Sequence, residues 1–205
     1  MELAAVLGRT LGFSFAAGIN LYASVAVLGL ASRFGWVELP DQFHAFDSNI
    51  VIGVALILYA VEFAADKIPW IDTAWDTVHT FVRPVGGALV AVVALGEASP
   101  SLEVLVALLG GSIAASTHLT KAGARVAVNA SPEPISNWIL SLAEDAFVVG
   151  LGSLAITYPV AALVVVVGAL AVMVIFFGAL IRFGWRRMFG RLRPHPPGPV
   201  GKAVS

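Results

Sequence analysis

The chain has 205 residues, of which 59% are hydrophobic and 12% charged, with a net charge of −1 and no cysteine. Soluble domains carry roughly 25% charged residues, so the composition argues against a water-exposed surface of ordinary polarity, and the missing thiols exclude disulfides, thiolate metal sites and a cysteine nucleophile. A pI of about 6.4 and a mean hydropathy of +0.90 argue against nucleic acid as a partner and for a bilayer as the solvent.

A helix that crosses the hydrocarbon needs about 20 mostly apolar residues. Six stretches meet or approach that length. The first, Thr10–Ala31, follows Arg9 and is longer than the roughly 7–15 residues of a signal-peptide core. The second, Ile50–Asp66, is short and ends in Glu62 and Asp66. The third, Thr77–Gly96, carries His79, Arg83 and Pro84 near its start. The fourth is Leu102–Lys121, the fifth Ile135–Ala155 with Glu144 and Asp145, and the sixth Tyr158–Ile181. The second and fifth, both polar, have a re-entrant alternative. Arg182 and the residues after it read as a basic juxtamembrane segment, with 184–205 as a Pro/Gly-rich disordered tail behind a single membrane domain over 1–183.

Basic residues favour the cytoplasmic side. With the N-terminus inside and strict alternation, eleven of the twelve lysines and arginines fall at inner ends, and Arg33 alone falls outside. The expected layout is six spans in a bacterial cytoplasmic membrane with both termini inside.

Ser14–Leu21 (Ser-Phe-Ala-Ala-Gly-Ile-Asn-Leu) lines up with Ser112–Leu119 (Ser-Ile-Ala-Ala-Ser-Thr-His-Leu), which makes Asn20 and His118 equivalent. Three spans per half would bring the second half in from the opposite face. The likeness therefore predicts an inverted repeat, about 10–97 and 102–182, with a site at the interface of the halves, as in many transporters. Ala16, Ala17, Gly18, Gly110, Gly111, Ala114 and Ala115 are small enough for close helix packing in lipid.

Ionisable residues inside a bilayer are expensive and face partners, water or a pathway. Pro69 is expected to break or start a helix. Beyond it, Asp72, Asp76, His79 and Arg83 recur at spacings of four, three and four, one face of an amphipathic helix around 70–83. That helix either lies in the interface or turns its polar face inward. Two carboxylates and an imidazole make Asp72, Asp76 and His79 weak metal candidates. His118, Lys121, Arg125 and Asn129 form a basic stripe on the fourth span, and Asn137, Ser141, Glu144 and Asp145 an acidic one on the fifth. Glu144 and Asp145 stand about mid-span, where short acidic side chains must be paired, protonated or wet.

Gly18–Ala23, Trp75–Pro84 with Gly86–Leu89, and Ser131–Asp145 resemble a widespread bacterial integral membrane family, a domain of unknown function, over roughly residues 10–180. The resemblance implies a membrane protein and carries no activity, cofactor or catalytic residue.

No hydrolase, zincin or phosphate-loop motif is present, so the chain does not read as an enzyme, although its acid and histidine pairs leave an intramembrane hydrolase as an alternative, and no cofactor is expected. Its expected partners are the bilayer, a small ion or small-molecule substrate, and a second copy of itself. The function that best fits is a small proton- or cation-linked secondary transporter or ion-permeable protein. Its pathway residues would be Asn20, Glu62, Asp66, Asp72, Asp76, His79, Arg83, His118, Lys121, Arg125, Asn137, Glu144 and Asp145. Two readings compete with it. One is a translocase for a lipid or lipid-linked phosphate, held by Arg83, Lys121 and Arg125. The other is a non-transporting scaffold.

Overall fold

The computed structural model of the chain describes residues 3–129 and 135–189. Among these are seven α-helices: α1 Leu3–Ile19, α2 Leu21–Arg33, α3 Asn49–Ala65, α4 Pro69–Leu95, α5 Pro100–Asn129, α6 Ile135–Thr157 and α7 Pro159–Phe189, with a 3-10 helix at Asp41–Asp47 before α3. Four carry stretches long and apolar enough to cross a membrane: Pro69–Leu95, Pro100–Val126, Ile135–Thr157 and Pro159–Ala179. The chain divides into two compact units, Met1–Val167 and Gly168–Ser205. The second begins within α7 and exposes Val172, Val174, Ile175 and Phe176.

Helix ends follow local chemistry. Ser48 caps α3 by accepting from Val51 N. Prolines 69, 100 and 159 open α4, α5 and α7, where a missing N–H costs nothing. Gly96 ends α4 at φ 84°, a left-handed conformation that favours glycine.

The first span is not one helix. Asn20 takes an extended backbone (φ −145°, ψ 101°), and its side chain accepts a hydrogen bond from Ala23 N at 2.9 Å, which caps α2. Phe13 and Val27, equally far before and after Asn20, both flank Gly152. A Cβ placed on that glycine would lie 3.6 Å from Phe13 Cε1 and 3.1 Å from Val27 Cγ1. At the open end, Arg9 of α1 and Gly35–Pro40 beyond α2 line one cavity with Gly96 and Glu97. The two helices therefore fold back as a hairpin with Asn20 at its tip. The first hydrophobic stretch is thus two short helices and not one continuous span. α6 has the 23 residues to cross, and α3 remains short at 17.

Four further expectations change. Arg9 lies at the same end of the bundle as the Gly35–Pro40 loop, so the assumed alternation across the first span fails. Ser14 packs beside Gly110 and Gly18 beside Ala114, so α1 and α5 advance in parallel. An inverted repeat would set these matching segments antiparallel, and Asn20 breaks its helix where α5 runs unbroken through His118. The amphipathic segment around 70–83 is the first half of the continuous α4, not a separate helix. α7 runs to Phe189, so the disordered tail expected from residue 184 is helical as far as that residue. The rest of the tail, 190–205, lies outside the described residues, as does Ser131–Pro134 of the family-like motif.

α4 packs along α5, and α1 packs against both, with α6 on α1 and α2, and α3 on α2. Side chains follow an inside-out pattern. Phe81, Val85, Leu108 and Ile139 are exposed, while Glu62, Asp72 and Arg83 are fully buried. In water this arrangement would forfeit the hydrophobic term that drives folding. In lipid the apolar exterior is already solvated, and close packing with interior polar bonds holds the helices together.

Candidate functional site

The tip of the hairpin meets the polar stripes. A helix C-terminus leaves carbonyl oxygens without intrahelical partners and carries partial negative charge. At the end of α1 these carbonyls are met by side-chain cations. Arg83 Nη1 donates to Gly18 O at 3.2 Å, and Lys121 Nζ donates to Ile19 O at 3.1 Å. The same two cations bind acids on α3. Arg83 Nη2 lies 2.6 Å from Glu62 Oε1, and Lys121 Nζ lies 3.4 Å from Glu62 Oε1 and 3.3 Å from Asp66 Oδ2. Asp76 Oδ1 stands 3.5 Å from Arg83 Nη1.

Arg125 ties α3, α5 and α6 together. Its Nη2 bonds Asp66 Oδ2 at 3.0 Å and Glu144 Oε2 at short range, and its Nε bonds Glu144 at 3.2 Å. Its Nη1 donates to Asp66 O at 3.0 Å and to Asn137 Oδ1 at 2.7 Å. All five guanidinium N–H groups thus have partners. Asn137 completes the clamp by donating to Asp66 O at 3.0 Å. Lys121 also lies 3.7 Å from Glu144. Glu144 Oε2 is therefore held in ion pairs with Arg125 and Lys121.

Both histidines have assigned tautomers, because their neighbours fix them. Arg83 Nη1 sits 2.7 Å from His118 Nδ1. A guanidinium only donates, so Nδ1 accepts and the proton is on Nε2, which faces Asp76 O and Thr80 Oγ1, each at 3.1 Å. His79 Nδ1 donates to Trp75 O at 2.8 Å, and its Nε2 accepts from the Tyr22 hydroxyl at 3.0 Å. With both nitrogens engaged, His79 has no lone pair for a metal. Among the described residues no group of three or more His, Cys, Asp and Glu is placed to hold one, which corrects the Asp72–Asp76–His79 metal candidate.

Six carboxyl groups, five of them buried and Glu144 half-buried, thus face three buried cations, Arg83, Lys121 and Arg125. Two of the six have no cation within ion-pair distance among the described residues. Asp145 Oδ1 accepts from Asn20 Nδ2 at 3.2 Å, and its Oδ2 has no hydrogen-bond partner among the described residues. Asp72 Oδ2 accepts from Asn129 Nδ2 at 2.7 Å, and its Oδ1 likewise lacks a partner there. Lys67, in the turn between α3 and α4, spends its ammonium on Phe63 O, Ser141 Oγ and the face of the Phe63 ring.

All thirteen residues singled out in the sequence lie in this connected region, on the hairpin tip, α3, α4, α5 and α6, with Asp66 at the end of α3. Tyr22 and the carbonyls of Gly18 and Ile19 were not among them. Tyr22 lies two residues beyond the break at Asn20, and only the break makes those carbonyls available.

Fold and site define an all-helical protein, with four helices long and apolar enough to cross a membrane, that buries a dense ion network at the tip of a helical hairpin. The chain belongs to the family described as Domain of unknown function (DUF4126), whose model matches residues 7–178. No curated protein and no solved structure matches it.

Proposed function

We propose that the protein is a small integral membrane transporter or ion-permeable protein, linked to a proton or cation. One observation carries the reading: Asp145 is buried, has no cationic partner among the described residues and accepts from the side chain at a helix break. Burying an unpaired carboxylate costs at least about 2.5–3.5 kcal/mol on insertion scales, and a proton or a bound cation removes that cost. Broken helices near the bilayer centre recur at transporter ion sites. Arg83, Lys121 and Arg125, being committed to carboxylates and carbonyls, support the fixed frame around the site. That commitment counts against their holding a lipid phosphate. Lys67 and the basic residues from Arg182 onward are assigned to the cytoplasm by the positive-inside rule, so the Arg9 end faces outside. A homodimer is proposed on the small size of the chain.

The test is proton and cation flux in liposomes containing the purified protein, with Asp145→Asn alongside. Ion-dependent flux that the variant abolishes supports the proposal. A folded wild type that passes no ion across a panel of cations and pH gradients leaves a scaffold held together by its ion pairs.

A further inference from the structure

Between α4 and α5, toward the Lys67 end of the bundle, lies a cavity of about 130 Å³ lined by Asp72, Thr73, Asp76, Thr77, Thr80 and Arg125. Arg125 offers no free donor, since each of its N–H groups already has a partner, and its charge is shared with Asp66 and Glu144. Asp76 Oδ1 lies 3.5 Å from Arg83 Nη1, a guanidinium that it shares with Glu62. Asp72 is fully buried, and among the described residues it has no cation within ion-pair distance and its Oδ1 has no hydrogen-bond partner. Thr73 and Thr77 donate their hydroxyl protons to carbonyls one turn back, at 2.9 and 2.8 Å. A hydroxyl used in this way keeps only its lone pairs for a ligand. The cavity therefore offers oxygen acceptors, one carboxyl group with no ion-pair partner among the described residues and no uncommitted donor from these groups.

We propose that this cavity binds one monovalent alkali cation of sodium type, partly hydrated, with Asp72 as its charged ligand and Thr73 and Thr77 as neutral ones. Oxygen donors suit a hard cation. A calcium-type ion takes 6–8 oxygens, usually from several carboxylates, whereas of the two carboxyl groups lining this cavity Asp76 already faces Arg83. Liquid water occupies about 30 Å³ per molecule, so the volume holds the ion with a few waters. The inference rests on the reading that the unpaired buried acids are neutralised by exchangeable cations. It concerns binding at Asp72, while the transport reading concerns Asp145.

The experiment uses the full chain in nanodiscs, with sodium chloride exchanged for choline chloride at constant ionic strength. Equilibrium binding of radioactive sodium and melting temperature are both read. Saturable binding and a sodium-dependent rise in melting temperature are expected, with affinity lowered at least tenfold in Asp72→Asn. If that variant fails to fold, Thr73→Val with Thr77→Val decides, with an expected loss of several-fold. Absence of saturable sodium binding in the wild type, or binding unchanged in the folded variants, overturns the site. Sodium binding without flux in liposomes would leave this site standing and remove the transport proposal instead.

Discussion

Asn20 and Asp145, 125 residues apart in sequence, are joined by a single 3.2 Å hydrogen bond at the tip of the α1–α2 hairpin. The two groups have different duties. Asn20 Oδ1 accepts from Ala23 N and caps α2, which leaves its Nδ2 for the carboxyl group. Substituting Asn20 by Ala should remove both bonds. Loss of the cap alone costs about 0.5–2 kcal/mol, read as a lower melting temperature in nanodiscs. Asp145→Asn keeps the shape and removes the charge, so flux should vanish while the melting temperature holds or rises. A fall in melting temperature as large as that of Asn20→Ala would instead make Asp145 a structural partner.

Arg125 should behave in the opposite way. Its five donors join Asp66, Asn137 and Glu144, and it is almost wholly buried. Removing one partner of a buried ion pair strands the others at a cost of about 3–5 kcal/mol. Arg125→Ala should therefore express poorly or melt far below the wild type. Arg125→Lys should recover little, because an ammonium cannot reproduce the planar fork. Glu144→Gln tests the same clamp from α6 and should lower stability without selectively removing flux.

The sequence carried the polar half of this architecture better than the topological half. Helical spacing put Asp72, Asp76, His79 and Arg83 on one face, and burial of all four shows that the face turns inward. The cost of charge in hydrocarbon marked Glu144 and Asp145, but could not tell which one Arg125 would claim. That depended on a residue on another helix. The hairpin was hidden because Thr10–Ala31 is long enough and apolar enough to span. A break needs only one residue in extended conformation, and Asn20 provides its own cap. Arg83, Lys121 and Arg125, which entered the positive-inside count, are core ion-pair partners and not surface charges. Likeness between α1 and α5 came from small residues that close helix packing demands of both.

Close approach at the tip yields a third prediction. A Cβ on Gly18 would lie 2.5 Å from Ala114 O and 2.7 Å from Thr117 Cβ, a contact that neither backbone nor a β-branched side chain can relieve cheaply. Gly18→Ala should cost about 1–3 kcal/mol, the range for overpacking, and displace the carbonyl that Arg83 binds. Gly123→Ala is the control, because nothing lies within 4 Å of a Cβ there, and the change should be neutral or slightly stabilising through helix propensity. Melting temperatures of the two variants, measured side by side, check the pair.

The last prediction concerns the N-terminus, where a spanning first segment and a hairpin give opposite answers. If Thr10–Ala31 crossed the bilayer, a reporter ahead of Leu3 and one after Arg33 would lie on opposite sides. In the hairpin, Arg9 shares a cavity with Trp36, Glu38 and Glu97, and Gly8 packs against Pro159 at the start of α7. Four chain positions therefore emerge at one end: the N-terminus, the Gly35–Pro40 loop, the Gly96–Ser99 turn and the Thr157–Pro159 turn. Single cysteines, absent from the natural chain, can be placed at Ala4, Glu38, Glu97 and Tyr158 and labelled in intact cells with a membrane-impermeant maleimide. All four should react from the same side, and by the positive-inside assignment that side is the outside. A cysteine at Lys67 should react only after the membrane is permeabilised. Labelling of Glu38 and Glu97 but not Ala4 in intact cells would restore a spanning first segment, and with it the need for another account of why Phe13 and Val27 meet the same glycine.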